Sequence, residues 1–324
     1  MSVFRPIMIA VASLLALAVP AGAQKYPERV VKFINPYPPG GSVDITGRLL
    51  AQKLTEITKH QFIMENRAGA GGNTGADAVA KSTPDGYTLL FTAPPPLAVN
   101  QTLYVKGLPF DPTKDFAPIA IFARTPIVLM VHPSVQAKNV KELIELAKKE
   151  PAKIHFGSAG IGTTPHLSGE LFKAMAKVQM THVPYRGTGP AMNDLIAGHI
   201  QMMFDLLPAS LPQIGANKVR ALANAGATRA AALKDLPTVA EQGLAGFDSS
   251  SWVALVAPAK TPAPVLAWLR TEVGKAIASP DIVKRLTELG SEAGTSDVKA
   301  VQAFLAAETK KWAEVIRASG AKVE

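Results

Sequence analysis

The chain has 324 residues, a formal charge of +9 and no cysteine. That is long enough for two ordinary domains, and it excludes disulfides, zinc–thiolate sites and cysteine nucleophiles. Aromatic residues are few and the cations are spread along helical segments, which argues against a nucleic-acid surface.

Residues 1–23 have the pattern of a secretory signal peptide. Arg5 supplies a positive start, residues 7–19 an apolar run too short for a comfortable membrane span, and Pro20 a break before Ala21-Gly22-Ala23. The mature, exported protein is expected to begin at Gln24.

Residues 29–34 are β-branched and apolar, a buried strand. After them comes a loop, residues 35–44, and then Ile45, Leu49, Leu50, Leu54 and Ile57 at helical spacing. Pro38 and Pro39 stiffen the loop. Gly40 and Gly41 let its backbone approach another molecule. Ser42 or Asp44 can cap the helix, and free N–H groups at its start favour an anion. A second strand (61–66), a Gly-rich loop (67–73), a helix (74–81) and a third strand (87–92) follow, the last stopped at Ala93 by Pro94, Pro95 and Pro96. This order predicts a parallel sheet with the loops 35–44, 67–73 and 93–96 at its carboxyl edge, where ligands sit in such sheets.

Two apolar runs, 119–123 and 127–131, are divided by Arg124-Thr125-Pro126, which is taken as the passage into a second domain. A second βα series begins after a helix over 140–149. Its strands are 154–156, 181–183, 200–205 and 219–224. Its loops are 157–164, with Ser158, Gly160 and Thr163, and 184–189, with Tyr185. Tyr37 and Tyr185 are candidates for an apolar wall. Residues 252–257 return as a strand. The rest reads as helix (264–278, 281–289, 297–319) with no strand of its own, expected to cover the first sheet. The result is an α/β, two-domain periplasmic-binding-protein-like fold with a cleft and a two-passage hinge. Domain 1 is residues 24–124 plus 252–324, and domain 2 is 125–251.

The phosphate loop, the G-x-S-x-G elbow and any metal-binding histidine spacing are missing. No metal or cofactor is expected. A Ser–His–Asp set assembled in space stays open, so a secreted serine hydrolase using Ser158 or Ser42 is the alternative. Asp205 ends its strand. There it either meets a ligand amine, repels an anion, or fixes the start of the next helix, and the last is favoured.

Seven short motifs occur in order: Tyr37-Pro38-Pro39-Gly40-Gly41 with Asp44; Glu65-Asn66-Arg67 with Gly69-Ala70-Gly71-Gly72; Pro84-Asp85-Gly86-Tyr87; Asp111-Pro112 with Lys114-Asp115-Phe116; Gly157-Ser158-Ala159-Gly160 with Thr163 and His166; His182-Val183-Pro184-Tyr185-Arg186-Gly187; and Pro237-Thr238 with Glu241. Together they resemble the Bug-type periplasmic receptors of tripartite tricarboxylate transporters, over essentially the whole mature chain. The resemblance implies a monomeric receptor that closes on a small organic anion and serves a membrane permease. It implies ligand contacts at Tyr37, Gly40, Gly41 and Ser42 on one side and at Ser158, Gly160, Thr163 and His166 opposite them. Pro39, Asp44, Ala93, Tyr185 and Asp205 are further candidates for the ligand site. Asn35 and Pro36 depart from the family's usual Val-Pro pair.

Overall fold

The structure, a computed structural model, describes residues 26–185 and 187–324. The expected signal peptide and its cleavage site lie outside them. Three parallel strands open the fold: β1 (Val31–Asn35), β2 (Phe62–Asn66) and β3 (Thr88–Thr92), with β1 between the other two. Parallel neighbours need crossovers, here α1 (Ser42–Thr58) and α2 (Asn73–Ala80). The prolines after β3 do not simply end it. They start a helical turn, Pro95–Val99, that runs into α3 (Asn100–Leu103), because proline fits the first turn of a helix, where its missing N–H costs nothing.

The centre of the molecule is β4 (Phe116–Val131), a single strand of 16 residues. The sequence divides it at Arg124-Thr125-Pro126, but the backbone is continuous. Through Pro126 it is antiparallel to β9 (Ser250–Pro258). From Ile127 onward it pairs with β7 (Met202–Leu206) and β8 (Arg220–Asn224). Pro126 thus falls where the partners change, a place that tolerates a missing donor. Beyond β7 lie β5 (His155–Ser158) and β6 (Thr181–Pro184), all three parallel.

The register positions the site. β3 is antiparallel to β9 and β9 to β4, so β1, β2 and β3 run in the same sense as β4. β7 is antiparallel to β4, so β5, β6 and β7 run in the opposite sense. The carboxyl ends of the two sets therefore face each other across the middle of β4. That opposition makes the cleft.

The remaining helices are α4 (Val140–Lys149), α5 (Thr164–Ala176), α6 (Thr188–Ala197), α7 (Leu207–Gly215), α8 (Ala263–Ala278), α9 (Pro280–Glu288) and α10 (Val298–Ser319). One apolar layer joins the first sheet to α1, α8 and α9 through Phe33, Leu50, Phe91, Leu269 and Leu286. The layer on the other face holds Leu90, Leu103, Trp252 and Trp312, and also Leu167 of α5. So α10 covers the first sheet as expected, and it also packs against α5 in the other half. The C-terminal part is not strandless either. β10 (Glu292–Thr295) pairs with the outer side of β4. Among the described residues no helix is long and apolar enough to cross a membrane.

Candidate functional site

The first loop ends on α1, whose N-cap is Gly41 with no side chain bonded to the free amides. Neither Ser42 nor Asp44 caps it, contrary to expectation. Pro39, Gly40, Gly41 and Ser42 are exposed, and Gly40 has a φ of +83°, which glycine alone adopts readily. Asp44 is buried and turns back into the loop. Its Oδ2 accepts from the Gly40 N–H and from Arg48 Nε, both at 3.1 Å. Its Oδ1 accepts from Asn66 Nδ2 at 3.0 Å and faces the Arg48 guanidinium. Burial alone would raise its pKa, but these donors more than offset that and hold it down at about 2. Asp44 therefore shapes the loop, and both its oxygens are occupied in doing so.

Asn35 Oδ1 accepts the Tyr37 N–H at 3.1 Å, and Asn66 Nδ2 donates to the Tyr37 carbonyl at 3.2 Å. The Tyr37 hydroxyl lies over Gly72, where an added Cβ would come within 3.1 Å of it. Burial raises its pKa. The neighbouring Thr92 partly offsets this, without a hydrogen bond of proper geometry. Tyr37 Oη and Asn35 Nδ2 are buried and have no partner among the described residues. Ala93, just past β3, and Tyr37 both pack on the first apolar layer.

The second loop is largely closed on itself. Ser158 has no exposed surface. Its Oγ lies 2.7 Å from His182 Nε2 and accepts the Gly160 N–H at 3.2 Å. Thr163 Oγ1 donates to the Gly160 carbonyl at 2.7 Å. The Gly162 N–H donates to His166 Nδ1 at 3.1 Å, which places the ring proton on Nε2, 3.9 Å from Glu170 Oε1. His166 and His182 stack with centroids 4.0 Å apart. Burial, then the neighbouring His182 and Lys173, lowers the His166 pKa to about 3. Burial and Lys173 lower that of His182 to about 4. Both rings are neutral at ordinary pH. His166 supports the loop from beneath and does not line its surface.

His182 is the residue that sequence reasoning missed. It lies in the His182–Gly187 motif, and parallel pairing sets it opposite Phe156, two residues from Ser158. Its bond to Ser158 resembles a nucleophile and its base. Yet the hydroxyl is sealed from solvent, and no carboxylate among the described residues bonds the other ring nitrogen. Ser42 is exposed but has no histidine bonded to it among the described residues. This geometry does not favour the hydrolase alternative.

Tyr185 pairs its N–H with the Ser158 carbonyl at 3.0 Å, and its hydroxyl donates to Asp194 Oδ2 at 2.6 Å. Burial and Asp194 push its pKa up to about 12. Only its ring is left for a wall. Asp205 is fully buried at the end of β7. It does not cap α7, whose N-cap is Leu206 with no side-chain bond. Instead its Oδ1 accepts from Thr188 Oγ1 at 3.2 Å, at the start of α6. Thr163 and Gly187, the N-caps of α5 and α6, also make no side-chain cap. The starts of α1 in the first half and of α5, α6 and α7 in the second are thus all without a side-chain cap, and each follows a strand whose carboxyl end lies at the facing edges. The halves touch at Gly162, where a Cβ would strike Leu103 at 2.4 Å. A groove of about 870 Å³ lies elsewhere, between α10, Gln101 and Phe116, and none of the candidate residues lines it.

Residues 46–321 match the family model described as the tripartite tricarboxylate transporter family receptor. The chain belongs to this family. The receptor is 34% identical to protein BugT of Bordetella pertussis over 309 residues, covering 95% of this chain and 94% of that one. Its fold superposes on an R. palustris protein, Rpa4515, solved with adipate, with a TM-score of 0.81 and 36% identity. That match covers 92% of this chain and all of the other. MatC from Rhodopseudomonas palustris, solved with bound malate, gives a TM-score of 0.77 and 30% identity, covering 90% and 100%. The chain is a solute-binding receptor with the periplasmic-binding-protein fold.

Proposed function

We propose that this receptor is exported to the periplasm and binds a small organic carboxylate between its two halves. The ligand would be a mono- or dicarboxylate, an amino acid or an aromatic acid. As a monomer, without cofactor, it would deliver that ligand to a membrane permease of the tripartite tricarboxylate type. The halves are proposed as domains, residues 24–124 plus 252–324 and residues 125–251. One observation carries the reading: the start of α1 is exposed, uncapped and preceded by a loop that Asp44 holds in shape. Free amides and the positive end of the helix dipole favour a carboxylate there. Tyr37, Pro39, Gly40, Gly41, Ser42 and Ala93 are the proposed contacts on that side. Ser158, Gly160, Thr163 and Tyr185 stand opposite, offering mainly backbone and ring surface. The adipate and malate held by the two similar proteins support the ligand class.

The test is a thermal-shift screen over carboxylates, since a ligand specific to the folded state raises the melting temperature. Gly41→Asp supplies the control. Gly41 has a φ of −77°, and an added Cβ would meet nothing nearer than the Pro38 carbonyl at 3.9 Å. The variant should fold normally and bind more than about tenfold more weakly, because it sets a carboxylate where the ligand's belongs. Wild-type affinity in the folded variant, read by calorimetry, places the ligand elsewhere.

A further inference from the structure

Asp205 stands one residue inside the edge that the second half turns toward the first. Its neighbour Leu206 pairs with Ile127, where β4 changes partners, and Asp205 itself pairs with Val128. Met203, on the same face of β7, and Leu207, the first residue of α7, belong to an apolar layer. The carboxylate therefore sits in apolar surroundings beside the half-exposed Thr188, the first residue of α6. Oδ1 takes the Thr188 hydroxyl. Oδ2 has no hydrogen-bond partner among the described residues. The Leu206 N–H and the Ser210 hydroxyl are near enough to ease its charge, but neither meets Oδ2 with proper geometry. An unpaired buried carboxylate oxygen is costly, and a donor that reaches it removes the cost.

The second half offers both signs. The starts of α5, α6 and α7 leave amides uncapped, and Asp205, buried beside the start of α6, adds a carboxylate whose Oδ2 lacks a partner among the described residues. A ligand carboxylate brought next to Asp205 would face a like charge, whereas a ligand donor would be attracted to it.

We infer that Asp205 makes the receptor select a carboxylate that also carries a hydrogen-bond donor, an ammonium, a carboxamide or a hydroxyl, over the plain dicarboxylate of equal length. This rests on the receptor function proposed above. Such a ligand can meet the amides of α1 at one end and Oδ2 at the other, whereas a dicarboxylate sets a like charge near Asp205 and leaves Oδ2 unpaired.

The experiment compares matched probes by calorimetry at pH 8, where Asp205 is ionised. They are adipate, its monoamide and 6-aminohexanoate, with the corresponding succinate set. In the wild type, the tightest donor-bearing probe should bind at least about tenfold more tightly than its dicarboxylate. Asp205→Asn, which accepts at one atom and donates at the other, should shrink that preference to about threefold or less. Dicarboxylates that bind as well as or better than their partners to the wild type overturn the inference and leave the receptor function standing. An unchanged preference in Asp205→Asn does the same. If no probe binds the wild type, the inference falls, and the wider thermal screen alone decides the receptor function. If the variant does not fold, the wild-type comparison alone decides.

Discussion

Asp205 is the residue where folding and binding pull apart. Burial, partly offset by Leu206 and Thr188, raises its pKa to about 6, against about 3.9 in an unfolded chain. Between those values the folded state holds a proton that the unfolded state has lost. Its stabilising contribution is therefore complete below about pH 4 and disappears as pH rises through 6. Asparagine does not titrate there. The stability of Asp205→Asn relative to wild type should grow by about 2 to 3 kcal/mol between pH 4 and pH 7 and stay level above that. Urea denaturation of both proteins at matched pH values measures it, and a flat difference would show that Asp205 is well solvated or paired. His166 and His182 have the opposite dependence. Their lowered pKa values cost stability as pH falls from about 6.5 toward about 3 to 4.

At the scale of the element, what the sequence revealed and what it hid divide along one physical line. β1, β2, β3, α1 and α4 were legible because each carries its own period, burial pattern and punctuation within a dozen residues. Asn139 accepting from the Glu142 N–H is such a local signal. β4 was not legible as one strand, because its continuity depends on β9, β7 and β8, which lie far away in sequence. The site divides in the same way. The exposed glycines of the first loop could be read directly. The roles of Asp44, His166 and His182 could not, since each depends on which atoms the fold brings to the side chain. β10 is the extreme case. Glu-Ala-Gly-Thr has little strand propensity, and only packing explains its glycine. A Cβ on Gly294 would lie 2.0 Å from the Ile121 carbonyl oxygen, backbone that cannot swing aside. Gly294→Val should thus separate β10 from β4 and lower stability by about 2 to 3 kcal/mol or more. A fall in melting temperature of several degrees checks it, and an unchanged melting curve would mean that β10 contributes nothing to the fold.

For the molecule as a whole, the question is how two facing edges could hold the proposed small anion. The first loop is exposed, while the second spends most of its donors on itself, so a ligand bound at α1 gains its further contacts only if the halves approach. Those added contacts, made in a site from which water has left, would be the differential affinity that shifts the population toward a closed form. The fold limits that motion. The two crossings, near residues 124–127 and 251–253, are joined by a third tie. α5 packs against α10 through Leu167, and Ser168 bonds Ser249 at the return crossing, 2.7 Å apart. With both strands and this seam tying the halves, closure is expected as a rotation about these ties. Sliding would break the buried Leu167 contacts. Solution scattering with and without a carboxylate found in the thermal screen should therefore show a modest fall in radius of gyration, and the liganded profile should fit a rotation about the seam. Identical profiles at saturation, with binding confirmed by calorimetry, would mean a cleft that is already formed. The permease would then have to recognise the loaded receptor by the ligand or the loop surface and not by closure.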